Sequence, residues 1–227
     1  MKDVLIQTCD PVEYATMLEA TSRTTREFCH RQDLKYRSFI GVKRGHWPWH
    51  STYNRLHMLK ELLDEGHRGW VLYLDADAYI SDLDFPIAEF LKARTQSALI
   101  GVRANSTAEY WDINAGVLFV NFRHHLAEAI VLDLIKRHEK ASQTLEFLEN
   151  RWPDPDLRLD DQSLLHSALL ENPDWQTSLR HEPQSLMNSM HASFIRHHLR
   201  AMTPDICERI KSIQTEVEDV LKGVKLG

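Results

Sequence analysis

Short apolar runs alternate along the chain with longer segments whose apolar residues recur at helical spacing. The runs that predict strands cover residues 4–8, 36–42, 70–74, 98–102 and 116–120. The segments that predict helices cover residues 12–31, 53–65, 86–91, 127–138, 142–149, 162–170 and 204–221. This alternation predicts an α/β fold with a mostly parallel central sheet flanked by helices. No repeat or long linker divides the sequence, so we expect one domain over residues 1–227.

Turn-forming residues set the expected element boundaries. Asp10 and Pro11 predict a capped helix start, with proline at the first helical position. Asn114 to Gly116 predict a turn directly before an apolar strand. Residues 45–49 and 151–158 are rich in proline with aromatic or charged neighbours, which is typical of loops.

Composition narrows the class of protein. The 227 residues are 43% apolar, which is ordinary for a globular α/β domain, and the net charge of −6 disfavours a general nucleic-acid binder. The three cysteines are far apart, which favours a reducing compartment. The first nine residues lack a signal-peptide core, and no run reaches the roughly 18 apolar residues of a membrane span. We therefore expect a cytoplasmic protein without a transmembrane segment, and leave peripheral membrane association open.

The sharpest chemical feature is a pair of carboxylates after the predicted strand 70–74. Asp75 and Asp77 flank the single residue Ala76. In open α/β sheets the ligand crevice lies at such strand ends, and two carboxylates this close can share a hard divalent ion. The simpler alternative is a helix cap or a solvated turn.

Two further clusters offer polar groups for a ligand. Asn114 carries both a donor and acceptors for sugar hydroxyls, and Gly116 allows close backbone approach. Asp160, Asp161 and Gln162 open the predicted helix 162–170, where Asp161 could simply be the cap. The same cluster would also suit sugar recognition or the stabilisation of positive charge on a sugar ring.

Histidines are common in this chain, so most of the 13 are expected at surface or core positions. His197 is the best ligand candidate among them. It closely follows the apolar pair Phe194-Ile195, which could end a short strand and point the imidazole inward. His191 and His198 are weaker candidates.

In this order, the motifs resemble the GT-A-fold glycosyltransferases, and within them the fungal α-galactosyltransferases and plant xyloglucan xylosyltransferases. The matching segments are residues 49–63, 70–77, 81–86, 113–121, 160–162 and 194–197. Two positions depart from that family. Its lysine in the tryptophan helix is absent, with Arg55 or Lys60 as the replacement, and no glycine follows the late histidine soon after.

The resemblance implies a single GT-A-type domain with a Rossmann-like sheet, a UDP-sugar donor, Mn²⁺ or Mg²⁺, and transfer to a glycan or other hydroxyl acceptor with retention. The metal ligands would be Asp75, Asp77 and His197. The residues expected around the donor are Thr8, Asp10, Arg55, Asp75, Ala76, Asn114, Ala115 and Gly116. Asp161 and Gln162 would act in the chemical step, with Asp160 orienting the helix or contacting the acceptor.

Two other interpretations compete. A haloacid-dehalogenase-like phosphatase also carries Asp-x-Asp after an apolar strand, but its motif lies near the N-terminus, whereas here two predicted strands with a helix between them precede the strand 70–74. The second is a non-catalytic nucleotide-sugar-binding protein. The complete set of polar residues gives no sign of an inactivated site.

Overall fold

The computed structural model describes residues 2–105, 107–148 and 159–224. The strands are β1 (Val4–Cys9), β2 (Lys35–Ile40), β3 (Trp70–Leu74), β4 (Ala78–Ile80), β5 (Leu99–Arg103), β6 (Ile113–Asn121), β7 (Leu179–His181), β8 (Met187–Ser189) and β9 (Ile195–His197). The α-helices are α1 (Ala15–Arg31), α2 (Asn54–Asp64), α3 (Ile87–Lys92), α4 (His125–Ala141), α5 (Leu145–Leu148), α6 (Asp161–Glu171) and α7 (Ile206–Leu221). Short 3-10 helices cover Pro48–Tyr53 and Pro173–Ser178.

The main sheet has six strands in the order β2-β1-β3-β6-β5-β7. Strands β2, β1 and β3 run parallel, β6 runs antiparallel to both β3 and β5, and β7 is parallel to β5. Five strands therefore share one direction and β6 alone opposes them. The predicted α/β fold with a mostly parallel sheet is confirmed.

The apolar runs over residues 4–6 of β1 and residues 70–74 of β3 reflect burial on both faces of the sheet. Every residue of these two strands is buried. Alternate side chains enter two different cores: Val4 and Ile6 pack with α2, α4 and α6, whereas Leu5 packs with α1 and α7. Because both faces are covered, neither strand shows an alternating pattern.

A second sheet of three strands has the order β4-β9-β8. β4 begins only four residues after β3 ends, and β9 pairs with it in the antiparallel sense. These strands are three residues long, too short to give a periodic signal in the sequence. α7 packs beside α1 and buries Ile213, Val217 and Val220 near this sheet.

Two element boundaries differ from the sequence prediction. α1 begins at Ala15, because Asp10 Oδ1 accepts hydrogen bonds from the amides of Val12 (2.7 Å) and Glu13 (2.6 Å) and so forms a turn before the helix. Pro11 is therefore not the first residue of α1. β6 begins at Ile113, since residues 113 and 114 pair with β5 beyond a bulge. Asn114 to Gly116 are thus strand residues, and the predicted turn is wrong.

Two further predictions concern residues 142–149 and 151–158. Of the helix predicted over 142–149, the described residues 142–148 contain only α5, and Ser142 is the C-cap of α4. The loop predicted over 151–158 lies outside the described residues. Among the described helices, none combines the length and apolar character that a bilayer crossing requires.

The buried His138 on α4 should make stability depend on pH. Burial lowers its pKa from 6.5 to about 4. Between those values the unfolded chain binds a proton that the folded chain does not, so the free energy of unfolding decreases as the pH falls. Because of this group, the free energy of unfolding should be about 1–2 kcal/mol lower at pH 5 than at pH 7.

We expect His138→Gln to remove that part of the acid sensitivity, measured by urea unfolding at pH 7 and pH 5. His125→Gln, at an exposed position on the same helix, is the matched control and should keep the wild-type pH dependence. Equal losses between pH 7 and 5 in wild type and His138→Gln would contradict the assignment.

Candidate active site

Asp75 and Asp77 lie where the chain leaves the main sheet for the small one. The Asp75 amide donates to the Gly116 carbonyl (2.8 Å), which extends the β3–β6 pairing by one residue. β4 starts directly after Asp77. The side chains are 30% and 11% exposed, so Asp75 is partly open to solvent and Asp77 is nearly enclosed.

His197 joins these carboxylates because β9 pairs with β4. Ala78 lies opposite His197 in the antiparallel register. The Nε2 atom of His197 is 2.9 Å from Asp77 Oδ1 and 4.0 Å from Asp75 Oδ2. One ligand atom from each of the three residues lies within 4.8 Å of the others. The three predicted metal ligands are therefore brought together; we call them the triad.

The two competing histidines lie elsewhere. His198 is fully buried, and its Nε2 is 3.3 Å from Glu216 Oε1. His191 is exposed. The structure thus places His197, rather than either neighbour, beside the carboxylates.

Asn188 fixes the orientation of the His197 ring. Its Oδ1 lies 2.6 Å from His197 Nδ1, so that nitrogen carries the proton and Nε2 faces the carboxylates. Asn188 has a φ of 73°, a left-handed conformation that asparagine tolerates better than most residues. The sequence does not predict this role, and the only signal for it is the residue type, which tolerates a left-handed conformation.

Charge coupling within the triad is strong. Burial alone would lower the pKa of His197, but the adjacent Asp77 carboxylate outweighs it and raises that pKa. Burial would raise the pKa of Asp77, and His197 together with Arg209 lowers it.

Gly116 provides the space in which the triad converges. A Cβ atom at this position would lie 2.4 Å from His197 Cε1 and 2.7 Å from Asp75 Oδ2. No side chain larger than hydrogen fits without moving those ligands. The close approach made by this glycine is to the protein's own triad residues.

The triad fits a divalent cation. Two carboxylates and one imidazole supply oxygen and nitrogen ligands of the kind that Mn²⁺ accepts, and the carboxylates also suit Mg²⁺. Asn188 on His197 Nδ1 is the outer partner that metal-binding histidines usually have. The cluster is therefore a candidate metal centre.

Arg55 lies beneath the triad on α2. It is buried, with Nη2 2.5 Å from Asp161 Oδ2 and 3.4 Å from Asp75 Oδ1, and it also donates to the Ala115 carbonyl. Its guanidinium lies 4.4 Å from the centre of the Tyr73 ring. The Tyr73 hydroxyl donates to Asp75 Oδ1 (2.5 Å). Arg55 thus orients Asp75, and its predicted contact with phosphates stays a prediction.

The N-cap of α6 lies one residue before the predicted cap. Asp160 is the N-cap and accepts from the Ser163 amide (2.9 Å) and hydroxyl (2.6 Å). Asp161 as the cap is wrong, because its carboxylate is turned inward to Thr52 and Arg55. Burial raises the pKa of Asp161 to about 6, against the opposing effect of Arg55.

Gln162 reaches the first residues of β6. Its Oε1 accepts from the Ala115 amide (3.0 Å), and Asn114 Oδ1 accepts from the Gly116 amide (2.8 Å). Both side chains are half-buried. Gln162 therefore lies at the same strand end as the triad.

The other predicted donor-site residues hold the strand ends in place. The Thr8 hydroxyl donates to the Phe39 carbonyl (2.8 Å) and accepts from Asn54 (2.9 Å). The Ala76 carbonyl accepts from the Thr21 hydroxyl (2.9 Å). Contacts between these residues and a donor stay predictions.

A cavity of about 860 Å³ opens between α2 and α4, away from the triad. Two of its lysines are already paired: Lys43 with Glu61 (2.8 Å) and Lys60 with Asp64 (2.6 Å). Its charges largely cancel, so volume alone does not make it the reaction site. The converging carboxylates and imidazole make the triad the candidate site for chemistry.

Comparisons with known proteins bear on the fold of the chain. No family model matches the chain, and no curated protein is significantly similar to its sequence. Among solved structures, it is similar to a glycosyltransferase involved in the glycosylation of the major capsid of PBCV-1. That match has a TM-score of 0.65 and 16% identity, and covers 95% of this chain and 100% of the other.

A second similar structure is the apo-form glycosyltransferase GlyE of Streptococcus pneumoniae TIGR4. It gives a TM-score of 0.53 and 17% identity, and the match covers 100% of this chain and 65% of the other.

We expect His197→Ala and Asp77→Asn each to weaken Mn²⁺ binding by at least about a hundredfold, since each removes a ligand or its charge. Isothermal titration calorimetry with MnCl₂ measures this directly. His191→Ala is the matched control and should bind like wild type. Wild-type affinity in Asp77→Asn would exclude this metal site.

With the Asp-x-Asp residues placed at the strand ends of this sheet, the chain has the GT-A glycosyltransferase fold and a candidate metal site within it.

Proposed function

We propose that the protein is a metal-dependent glycosyltransferase. It would move a sugar from a nucleotide-sugar donor, a UDP-sugar, to a hydroxyl of a glycan or similar acceptor, with retention at the anomeric carbon. The observation that carries this proposal is the triad: Asp75, Asp77 and His197 converge at the strand ends of a glycosyltransferase-like fold. The choice of UDP and of retention rests on the motif resemblance.

Each triad residue has a distinct task in this proposal. Asp77 and His197 would hold the ion, and Asp75, oriented by Tyr73 and Arg55, would face the donor. A bound Mn²⁺ or Mg²⁺ would supply Lewis-acid stabilisation of the departing diphosphate. The protein provides a site whose ligands are already fixed in place, so little reorganisation is needed during the reaction.

Gln162 is the better of the two candidates for the group that faces the sugar. Asp161 is buried and its carboxylate is engaged by Thr52 and Arg55, so it would act by holding Arg55. Gln162 is half-buried, and its Oε1 is fixed by the Ala115 amide. The second lone pair of this oxygen would stabilise positive charge that develops on the sugar ring.

One assay distinguishes this function from its two rivals. With Mn²⁺, the protein should slowly release UDP from a UDP-sugar, and chelation by EDTA should stop the release. A phosphatase would release inorganic phosphate from a phosphomonoester, whereas a binding protein would do neither. Absence of UDP release across a panel of UDP-sugars and simple glycan acceptors would argue against the proposal.

Gln162→Ala should separate chemistry from binding. We expect turnover to fall about a hundredfold, the usual loss for one preorganised polar group, while UDP affinity changes less than about threefold. Steady-state UDP release and calorimetric UDP titration in Mn²⁺ give the two quantities. Gln184→Ala, at an exposed position, is the control. Equal losses of UDP binding and turnover would place Gln162 in the nucleotide site or the fold instead.

A further inference from the structure

Arg209 on α7 is a buried cation beside the candidate metal site. Its side chain is 1% exposed, and its Nη1 atom lies 3.4 Å from Asp77 Oδ2. Nη2 donates to the Tyr14 hydroxyl (2.9 Å). Among the described residues, Nε and Nη1 have no hydrogen-bond partner. The guanidinium therefore acts on Asp77 mainly through its charge.

Asp77 has one oxygen for each of its two neighbours. Oδ1 faces His197 at 2.9 Å, and Oδ2 faces Arg209 at 3.4 Å. An arginine at Oδ2 disfavours a metal bound through both oxygens, because the ion and the guanidinium repel each other. A metal ion would thereby be restricted to Oδ1 of Asp77, the oxygen that faces His197.

Arg209 also changes the charge balance of the site. The carboxylates of Asp75, Asp77 and Asp161 face the guanidiniums of Arg55 and Arg209, which leaves a formal charge of −1 with His197 neutral. Removing the charge of Arg209 would make it −2. A site at −2 attracts a bare divalent ion more strongly, whereas a site at −1 favours the ion together with an anionic ligand.

α7 does not depend on Arg209 for its attachment. Glu216 on the same helix accepts from the Tyr79 hydroxyl and from Ser212 (3.1 Å), and it lies 3.3 Å from His198. The Tyr14 hydroxyl also keeps a second arginine donor, Arg200, at 3.2 Å. The helix is thus held to β4 and to the segment after β9 by contacts that leave the charge of Arg209 free to act on Asp77.

We propose that Arg209 couples metal binding to donor binding: its buried charge weakens the affinity for the bare ion and strengthens the affinity for the ion with a nucleoside diphosphate. This rests on the proposed function for the identity of the anion. Arg209 is a positioning residue that acts through Asp77 and through the charge of the site.

The test measures Mn²⁺ affinity by the electron paramagnetic resonance signal of free Mn²⁺, with and without saturating UDP. The coupling factor is the ratio of the two dissociation constants. In wild type, UDP should tighten Mn²⁺ binding at least about tenfold. In Arg209→Gln, Mn²⁺ alone should bind about tenfold more tightly, and the coupling factor should fall by about tenfold or more.

Arg209→Lys keeps the charge and should keep the coupling factor within about threefold of wild type. If Arg209→Gln does not fold, as judged by circular dichroism, Arg209→Met carries the same expectation. Weaker binding of Mn²⁺ alone in the neutral variant, or a coupling factor equal to that of wild type, overturns the inference. A role confined to folding would change thermal stability and leave the coupling factor unaltered.

The outcome is independent of sugar transfer, because Mn²⁺ and UDP are the only ligands used. Loss of coupling in Arg209→Gln without any sugar transfer by wild type would support the inference and count against the proposed function. Sugar transfer by wild type with unchanged coupling in Arg209→Gln would support the proposed function and overturn the inference.

Discussion

The carboxylate of Asp77 is a negative charge held almost out of water, and the elements around it compensate that charge. An unpaired ion in such a place would cost several kcal/mol. β9 brings His197 to one oxygen and α7 brings Arg209 to the other. The small sheet and the C-terminal helix thus each supply one partner to this side chain.

The reversed direction of β6 explains how the remaining site residues reach the same edge. Because β6 runs against β3, its first residues lie beside the carboxyl end of β3, where Asp75 follows. Gly116 then lies close to Asp75 and His197, and the Ala115 amide donates to Oε1 of Gln162 on α6. A parallel strand at this position would bring its last residues there instead. The opposing strand is thus the feature of the sheet that assembles the site.

Sequence patterns were sufficient where a signal is continuous and local. The apolar runs located β1 and β3, and the apolar pair before His197 selected the histidine that meets the carboxylates. Short elements and single-residue shifts were not accessible. β4 and β8 are three residues long and were not predicted, and Asp160 rather than Asp161 is the cap because tertiary contacts with Arg55 and Thr52 turn Asp161 inward.

The two carboxylates are held from opposite faces of the main sheet. Arg55 comes from α2, which packs on one core, and Arg209 from α7, which packs on the other. Each arginine lies 3.4 Å from its own aspartate, so the repulsion between neighbouring carboxylates is reduced without using the oxygen that faces His197. A helical residue on either face gives no sequence signal for this, since an arginine on an amphipathic helix is usually solvated. Burial in three dimensions converts both arginines from surface charges into fixed charges beside the candidate metal site, and fixed charges of this kind act without the cost of reorganisation.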